Sequence, residues 1–547
     1  MRVLLAPSAP GQYAISIRLA FSSFLKVRRS ILGRIMKARI RVALVATIAL
    51  SFWVVCGAAE KKNILLIIAD DYGADSSSLY NSTNAGAQLP PTPNIASLVT
   101  NGVVFRNAYA YPVCSPTRSC LLTGQYGFRT GIGTVVDNGP SLTTSAFTLP
   151  KAFTNAATGY ALAQFGKWHL AFGPNTPRTV GGWTNFAGSL PGAIPNYTNW
   201  TKVVNGSSTA SYTNYATTDL VNDSTAWISA RGTNAWFAWV AFNAPHTPLH
   251  LPPTNLCPHY ATLPGTTADI NARPTLYFDA MVEAMDTEIG RLLTAVDRSK
   301  THIIFLGDNG TPPNTLQPPY PSGRGKDTLY EGGLRVPFII SGPVVASPNR
   351  TNDTLVNMVD IFATILEMAG TSIGAAVPAG VPIDGQSLLP ALQADTVLSR
   401  RAYSELFGTN YTASQSGRML RDDRYKLIRY TDSHEQFYDL LNDPYENTNL
   451  LGSLSATQQA YHDRLEFWLY GYSTNTGPRI ASSAWSNNGQ FSCTLTQAAS
   501  YALWRCNDLT TLFWSQVTNP ITTTNGANVI LTDPSPPTGR AFYSVVK

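Results

Sequence analysis

Two acidic pairs are the first residues whose type and setting suggest chemistry. Asp70-Asp71 closes the run NILLIIADD and Asp308-Asn309 closes THIIFLGDN, so three carboxylates and one amide each follow a continuous apolar stretch. Such hard oxygen ligands suit Ca2+ or Mg2+ rather than Zn2+. The same residue types form turns that cap strands, which leaves either pair alone ambiguous. Acids ending two buried strands side by side, however, repel unless a cation neutralises them. Lys167 and His169 flank a tryptophan in GKWHL, where an extended backbone points both to one face. His246 lies between prolines in NAPHTP, and Lys326 lies in the glycine-rich SGRGKDTLYEGG, whose backbone can approach a ligand closely. His250, His259, His302, His434 and His462 have no comparable setting and are read as structural. A cation, two lysines, an arginine and two histidines in one place would suit an oxyanion ester: positive charge to neutralise it, imidazoles to move protons near neutral pH. The candidate nucleophile is Cys114 in YPVCSPTRSCLLTGQ, on a turn before a helix, with Arg118 four residues on.

These groups fall at the carboxyl ends of expected strands. NILLIIA, VVFRNAYA, YALAQFG, WFAWVAF, THIIFLG and VPFIISG read as strands, several apolar throughout as in a sheet buried on both faces. TPNIASLVTNG, TLPKAFTNAATG, residues 276–299 and VDIFATILEMAG read as helices between them. The alternation predicts an α/β fold, a large mostly parallel sheet sandwiched by helices, which builds its site where strands end. Near residue 400 the pattern changes to paired strands (RMLRDDRYKLIRYTDSHEQFYDLL) and a helix (DRLEFWLY), a smaller C-terminal α+β subdomain. The expected division is a leader over 1–59, a catalytic domain over 60–400, that subdomain over 401–475, and a small β-rich module over 476–547.

The formal charge of +6 is carried by the leader, since nine basic residues precede the first acid, Glu60, and the remainder totals −3. That balance gives no electrostatic case for nucleic acid. Within the leader, MKARIR, the apolar VALVATIALSFWVVC and the small GAA read as a bacterial-type signal peptide starting at Met36, with an uncleaved anchor as the alternative. The apolar run is short for a membrane span, so export to periplasm, cell surface or medium is expected, with no stable span in the mature form. Five cysteines lie beyond the leader, an odd number that singles out one thiol. With Cys114 as that thiol, Cys493 with Cys506 and Cys120 with Cys257 are the candidate bridges.

Together these motifs carry a resemblance. CSPTR and the helix SCLLTGQ, with IIADDYG, TPNIASLVTNGVVFRNAYA, GKWHL, NAPHTPLH, FLGDNG, RGKDTLYEGGLRVPFIISGP and DRYKLIRY…YDLLNDPYENTNL, occur in order over about residues 61–470. The chain resembles the formylglycine-dependent sulfatases of the alkaline-phosphatase-like superfamily, arylsulfatase type. The resemblance implies that a formylglycine-generating enzyme oxidises Cys114 to formylglycine (3-oxoalanine), whose hydrate is the nucleophile and also meets the metal. It implies Ca2+, or alternatively Mg2+, on Asp70, Asp71, Asp308 and Asn309. Arg118 would hold the hydrate, Lys167 and Lys326 the sulfate oxygens, His169 the hydroxyls of the hydrate, and His246 would protonate the leaving alcohol. One hydroxyl would attack sulfur and the other would expel sulfate. The expected substrate is a sulfated small molecule or, from export and the tail, a sulfated carbohydrate; a phosphodiesterase or phosphonate monoester hydrolase of the same superfamily is the alternative. Two departures from the family pattern stand out. Gly127 replaces a proline and is expected to loosen the turn near Arg129, and a hydroxyl contact to sulfate has only Ser189 as a candidate.

Overall fold

The computed structural model describes residues 60–82 and 86–471, with side chains to 469, and beyond them the backbone of short strands between 480 and 546. The leader lies outside the described residues, and so do the side chains of Cys493 and Cys506.

A ten-stranded sheet is the frame. In chain order its strands are β1 (Asn63–Ala69), β2 (Gly102–Tyr109), β3 (Ala161–Gly166), β4 (Asn185–Gly188), β5 (Trp200–Val204), β6 (Ser207–Tyr212), β7 (Trp236–Ala241), β8 (Thr301–Gly307), β9 (Phe338–Ser341) and β10 (Arg350–Asn357). In space they run β10-β2-β9-β8-β1-β7-β3-β4-β5-β6. The central block β8-β1-β7-β3-β4 is parallel. Strand β9 departs from the expected pattern, because it lies antiparallel to both β8 and β2. The chain leaving β8 stays at the carboxyl edge through residues 308–337 and re-enters the sheet from that edge, so it must run backwards.

Strand β1 shows why its sequence reads as continuous apolar residues. Ile64, Leu66 and Ile68 belong to the core on one face of the sheet, while Leu65, Ile67 and Ala69 belong to the core on the other. Both sides are covered by helices, so neither side needs polar residues. The helices α1 (Cys114–Thr123), α2 (Leu149–Asn155) and α5 (Asp360–Met368) contribute to the first core; α3 (Ala216–Ser229) and α4 (Pro274–Thr294) contribute to the second. This layering overturns one expectation. Cys120 and Cys257 are free thiols, because Cys120 is buried in the first core and Cys257 in the second, with the sheet between them. The helix expected over 92–102 is also shorter, Pro93–Ala96 followed by a tighter turn to Asn101.

A second, antiparallel sheet joins β11 (Ala402–Leu406), β12 (Gly417–Arg421), β13 (Tyr425–Tyr430) and β14 (Glu435–Asp439), followed by α6 (Ala456–Gly471). The tail backbone forms a four-stranded and a three-stranded sheet, both antiparallel. Among the described residues no helix is long and apolar enough to cross a membrane.

Candidate active site

Register brings the chemical residues to one edge. Ile68 of β1 pairs with Ala241 of β7, Ala241 with Gly166 of β3, and Ala69 of β1 with Gly307 of β8. The next residues of each strand therefore emerge side by side. Backbone bonds continue the stitching past the strand ends: the Asp70 N–H donates to Ala244 O (3.1 Å), Asp308 N–H to Ala69 O (3.0 Å) and Lys167 N–H to Ala241 O (2.9 Å). Gly166 makes the approach possible, since at its φ of +84° a Cβ would meet Ala241 O at 1.9 Å.

Cys114 is the first residue of α1, which ends at Gly124 in the left-handed conformation. The Thr117 hydroxyl accepts from Tyr111 N–H (2.8 Å) and so ties the helix to the strand exit before it. Gly127 does not loosen the following turn. Its N–H donates to the Tyr111 hydroxyl (2.8 Å), a bond that proline could not make, and Arg129 is held by Asp384.

Around Cys114 the acids and bases interlock. Lys167 Nζ lies 3.3 Å from Cys114 Sγ and 2.5 Å from Asp70 Oδ2; Lys326 Nζ lies 3.9 Å from Sγ and 2.5 Å from Asp71 Oδ1. Arg118 binds an acid and a backbone carbonyl. Its Nε and Nη2 both donate to Asp308 Oδ2 (3.0 and 2.7 Å), and its Nη1 donates to Lys167 O (3.0 Å). Asp308 Oδ1 accepts from Asp71 N–H (3.1 Å), and Asn309 Nδ2 donates to Asp71 Oδ1 (2.7 Å). His246 donates Nδ1–H to its neighbour's carbonyl, Thr247 O (2.8 Å), and turns Nε2 to within 3.7 Å of Asp71 Oδ2. The His169 ring bonds to none of these side chains: its Nε2 meets Asp137 Oδ2 at 2.6 Å. Ser189 is buried beside the site, with its hydroxyl donating to Asn243 Oδ1 (3.1 Å). The five remaining histidines have separate partners, Tyr215 for His250, Glu283 for His259, Val344 N–H for His302, Asp432 for His434 and Glu435 for His462.

Three acids, Lys167 and Arg118 are almost wholly buried here and Lys326 is half-buried, which is tolerable only because they are mutually paired. Burial works to raise Asp70, yet Lys167, His246, Arg118 and Lys326 outweigh it and hold its carboxyl well below the usual range. For Asp308, burial with Asp70 beside it wins over Arg118, and its pKa rises to about 6. Burial, helped by Asp70, pushes the Cys114 thiol up to about 12 against the pull of Lys167 and Lys326. A thiol so raised is protonated at neutral pH and is a poor nucleophile as encoded.

The donor set fits a hard divalent cation. Asp70 Oδ1 and Asn309 Oδ1 are buried oxygens without a hydrogen-bond partner, which is costly unless another group satisfies them. One ligand atom each from Asp70, Asp71, Cys114 and His246 lies within 4.8 Å of the others.

Fold and site together define a hydrolase that handles an anionic ester at the carboxyl edge of an α/β sheet. The sulfatase family model matches residues 62–371, more than half of the chain, and a model described as N-sulphoglucosamine sulphohydrolase, C-terminal, matches residues 325–467. The chain belongs to the sulfatase family and is a sulfuric ester hydrolase. It is 28% identical over 515 residues to a sulfatase of Formosa agariphila, covering 77% of this chain and 91% of that protein. It is likewise 28% identical over 376 residues to the N-acetylgalactosamine-6-sulfatase of Canis lupus familiaris, covering 61% and 67%. A solved structure in complex with its substrate D-glucosamine-2-N,6-O-disulfate superposes with a TM-score of 0.62 at 20% identity, over 76% of this chain and 99% of that one.

Proposed function

We propose that this chain is an exported sulfatase of carbohydrate sulfate esters, with formylglycine made from Cys114 as nucleophile and Ca2+, or in second place Mg2+, on Asp70, Asp71, Asp308, Asn309 and residue 114. The observation that carries this reading is the pair of orphaned buried oxygens, Asp70 Oδ1 and Asn309 Oδ1, in the same nest as a cysteine flanked by two lysines. Export rests on the leader's signal-peptide pattern, and maturation requires a formylglycine-generating enzyme as partner. The sugar is argued from that export and from relatives named for, or bound to, sulfated sugars.

When present, the hydrated formylglycine supplies two hydroxyls, one to accept the sulfuryl group and one to release it, and the cation supplies positive charge. The chain's own residues do the rest. Lys167 and Lys326, whose ammonium groups lie nearest Sγ, bind the sulfate oxygens, where a desolvated charge is worth far more than in water. Arg118 locks Asp308 and the Lys167 backbone in place and thereby fixes the floor of the site. In His246 the Thr247 carbonyl holds the Nδ1 proton, so proton delivery to the leaving alcohol occurs from Nε2. His169 would assist the hydroxyls of the hydrate.

The test is sulfate release by protein matured with the converting enzyme, assayed on a panel of monosulfated sugars, an aryl sulfate and an aryl phosphate diester. Sulfate release from sugars supports the reading. Faster turnover of the phosphate diester would instead assign the phosphodiesterase alternative.

A further inference from the structure

The Asp137–His169 pair was not foreseen from the sequence, and it has a defined consequence for the chemistry. Asp137 sits on a short turn of helix, Val136–Asn138, at the surface, with its side chain 44% exposed, whereas the His169 side chain is 3% exposed. Ser115, the residue after Cys114, clips the two together. Its hydroxyl donates to His169 O (2.9 Å) and accepts from Val136 N–H (3.2 Å). His169 is held at a φ of +50°, a backbone conformation that a non-glycine residue keeps only when its surroundings impose it. Gly192 forms the floor under the ring, for a Cβ there would meet His169 Cε1 at 2.4 Å and Nε2 at 2.5 Å. The imidazole is thus fixed in place, with Nε2 on the carboxylate and Nδ1 buried without a partner.

We propose that Asp137 is a positioning residue that fixes His169 as the Nε2–H tautomer and leaves Nδ1 as its proton-accepting atom. A carboxylate can only accept, so the shared proton belongs to Nε2. Supporting this, the bond to His169 holds the Asp137 carboxyl below its ordinary range, while burial lowers His169 to about 4, so at neutral pH the pair is carboxylate and neutral imidazole. The inference rests on the sulfatase reading for its use: there the proton of a hydroxyl of mature residue 114 would pass from oxygen to Nδ1, and Asp137 would stabilise the resulting imidazolium. The half-exposed carboxylate also links a buried base to solvent.

The experiment is 15N NMR of the full chain with selectively labelled histidine, unconverted at Cys114, with His169 identified through His169→Gln. The expected spectrum shows His169 protonated at Nε2 alone. Asp137→Asn, whose amide can donate to Nε2, shifts the ring toward Nδ1–H, and Asp137→Glu keeps the wild-type tautomer. In matured enzyme Asp137→Asn lowers kcat by about 10²-fold or more, within the range for a mispositioned base, with little change in KM. A wild-type Nδ1–H signal, or an unchanged kcat in Asp137→Asn, overturns the proposal. If no form releases sulfate, the sulfatase chemistry fails, while the tautomer reading still decides the role of Asp137.

Discussion

Replacing His246 by Asn tests the division of labour at the site through the leaving group. His246 stands at the mouth with its side chain 14% exposed, its Nδ1 committed to Thr247 O and its Nε2 3.7 Å from Asp71. Burial lowers its pKa although Asp71 and Asp70 oppose that, so Nε2 must first take up the proton it delivers, with the acids it faces stabilising the charge. A sugar alkoxide is a poor leaving group and needs this proton in the transition state; a nitrophenolate leaves unaided. Positioned proton transfer contributes about 10²–10⁴-fold, or about 3–5 kcal/mol of barrier. His246→Asn should therefore lose about 10²–10⁴-fold in kcat on a sulfated sugar and less than about tenfold on nitrophenyl sulfate. Asparagine can still donate to the Thr247 carbonyl, so the loop keeps its anchor and the melting temperature should hold. Initial rates on both substrates, with thermal melts of both proteins, measure this. Equal losses on the two esters would refute the general-acid assignment and make His246 a binding or structural residue.

Other predictions concern charge. Arg118→Ala leaves Asp308 buried without its main partner and should destabilise the protein by about 3–5 kcal/mol, read by denaturant unfolding. Chelation should lower the melting temperature and abolish turnover, with both restored by Ca2+, because Asp70, Asp71 and Asp308 crowd at one edge; a melting curve indifferent to chelator would argue against the cation. Asp279 is buried in α4 with both oxygens unpaired, and burial, with Asp75 adding to it, raises its pKa to about 8. A raised carboxyl contributes stability that is present below its unfolded pKa and lost as pH rises through about 8. Asp279→Asn should accordingly raise the melting temperature more at pH 8 than at pH 5, and an equal change at both would exclude ionisation as the cause.

How far the sequence revealed this molecule depended on whether a signal was local. The uninterrupted apolar runs of β1, β7 and β8 marked strands covered on both faces, and the polar residues directly after them marked the edge where a site forms. The tail's short β-like runs correspond to the strands found there. Direction was not legible, since FIIS reads the same parallel or antiparallel, and only the path of residues 308–337 makes β9 run backwards. Long-range partners were equally hidden. Arg118, four residues after Cys114, binds an acid 190 residues away. Asp137, in the turn-like VVDNGP, gives no sign of a histidine 32 residues on, apart from an acid near the Cys114 helix in sequence. Cysteine counting suggested a bridge that two opposite cores forbid.

The most direct measurement pairs peptide mass spectrometry at residue 114 with sulfate release in the same preparations, made with graded amounts of converting enzyme. Sulfate release should rise in proportion to the fraction of Cys114 that has lost its sulfur to become formylglycine, and should vanish in Cys114→Ala. Full turnover in a preparation whose Cys114 remains a thiol would contradict the account.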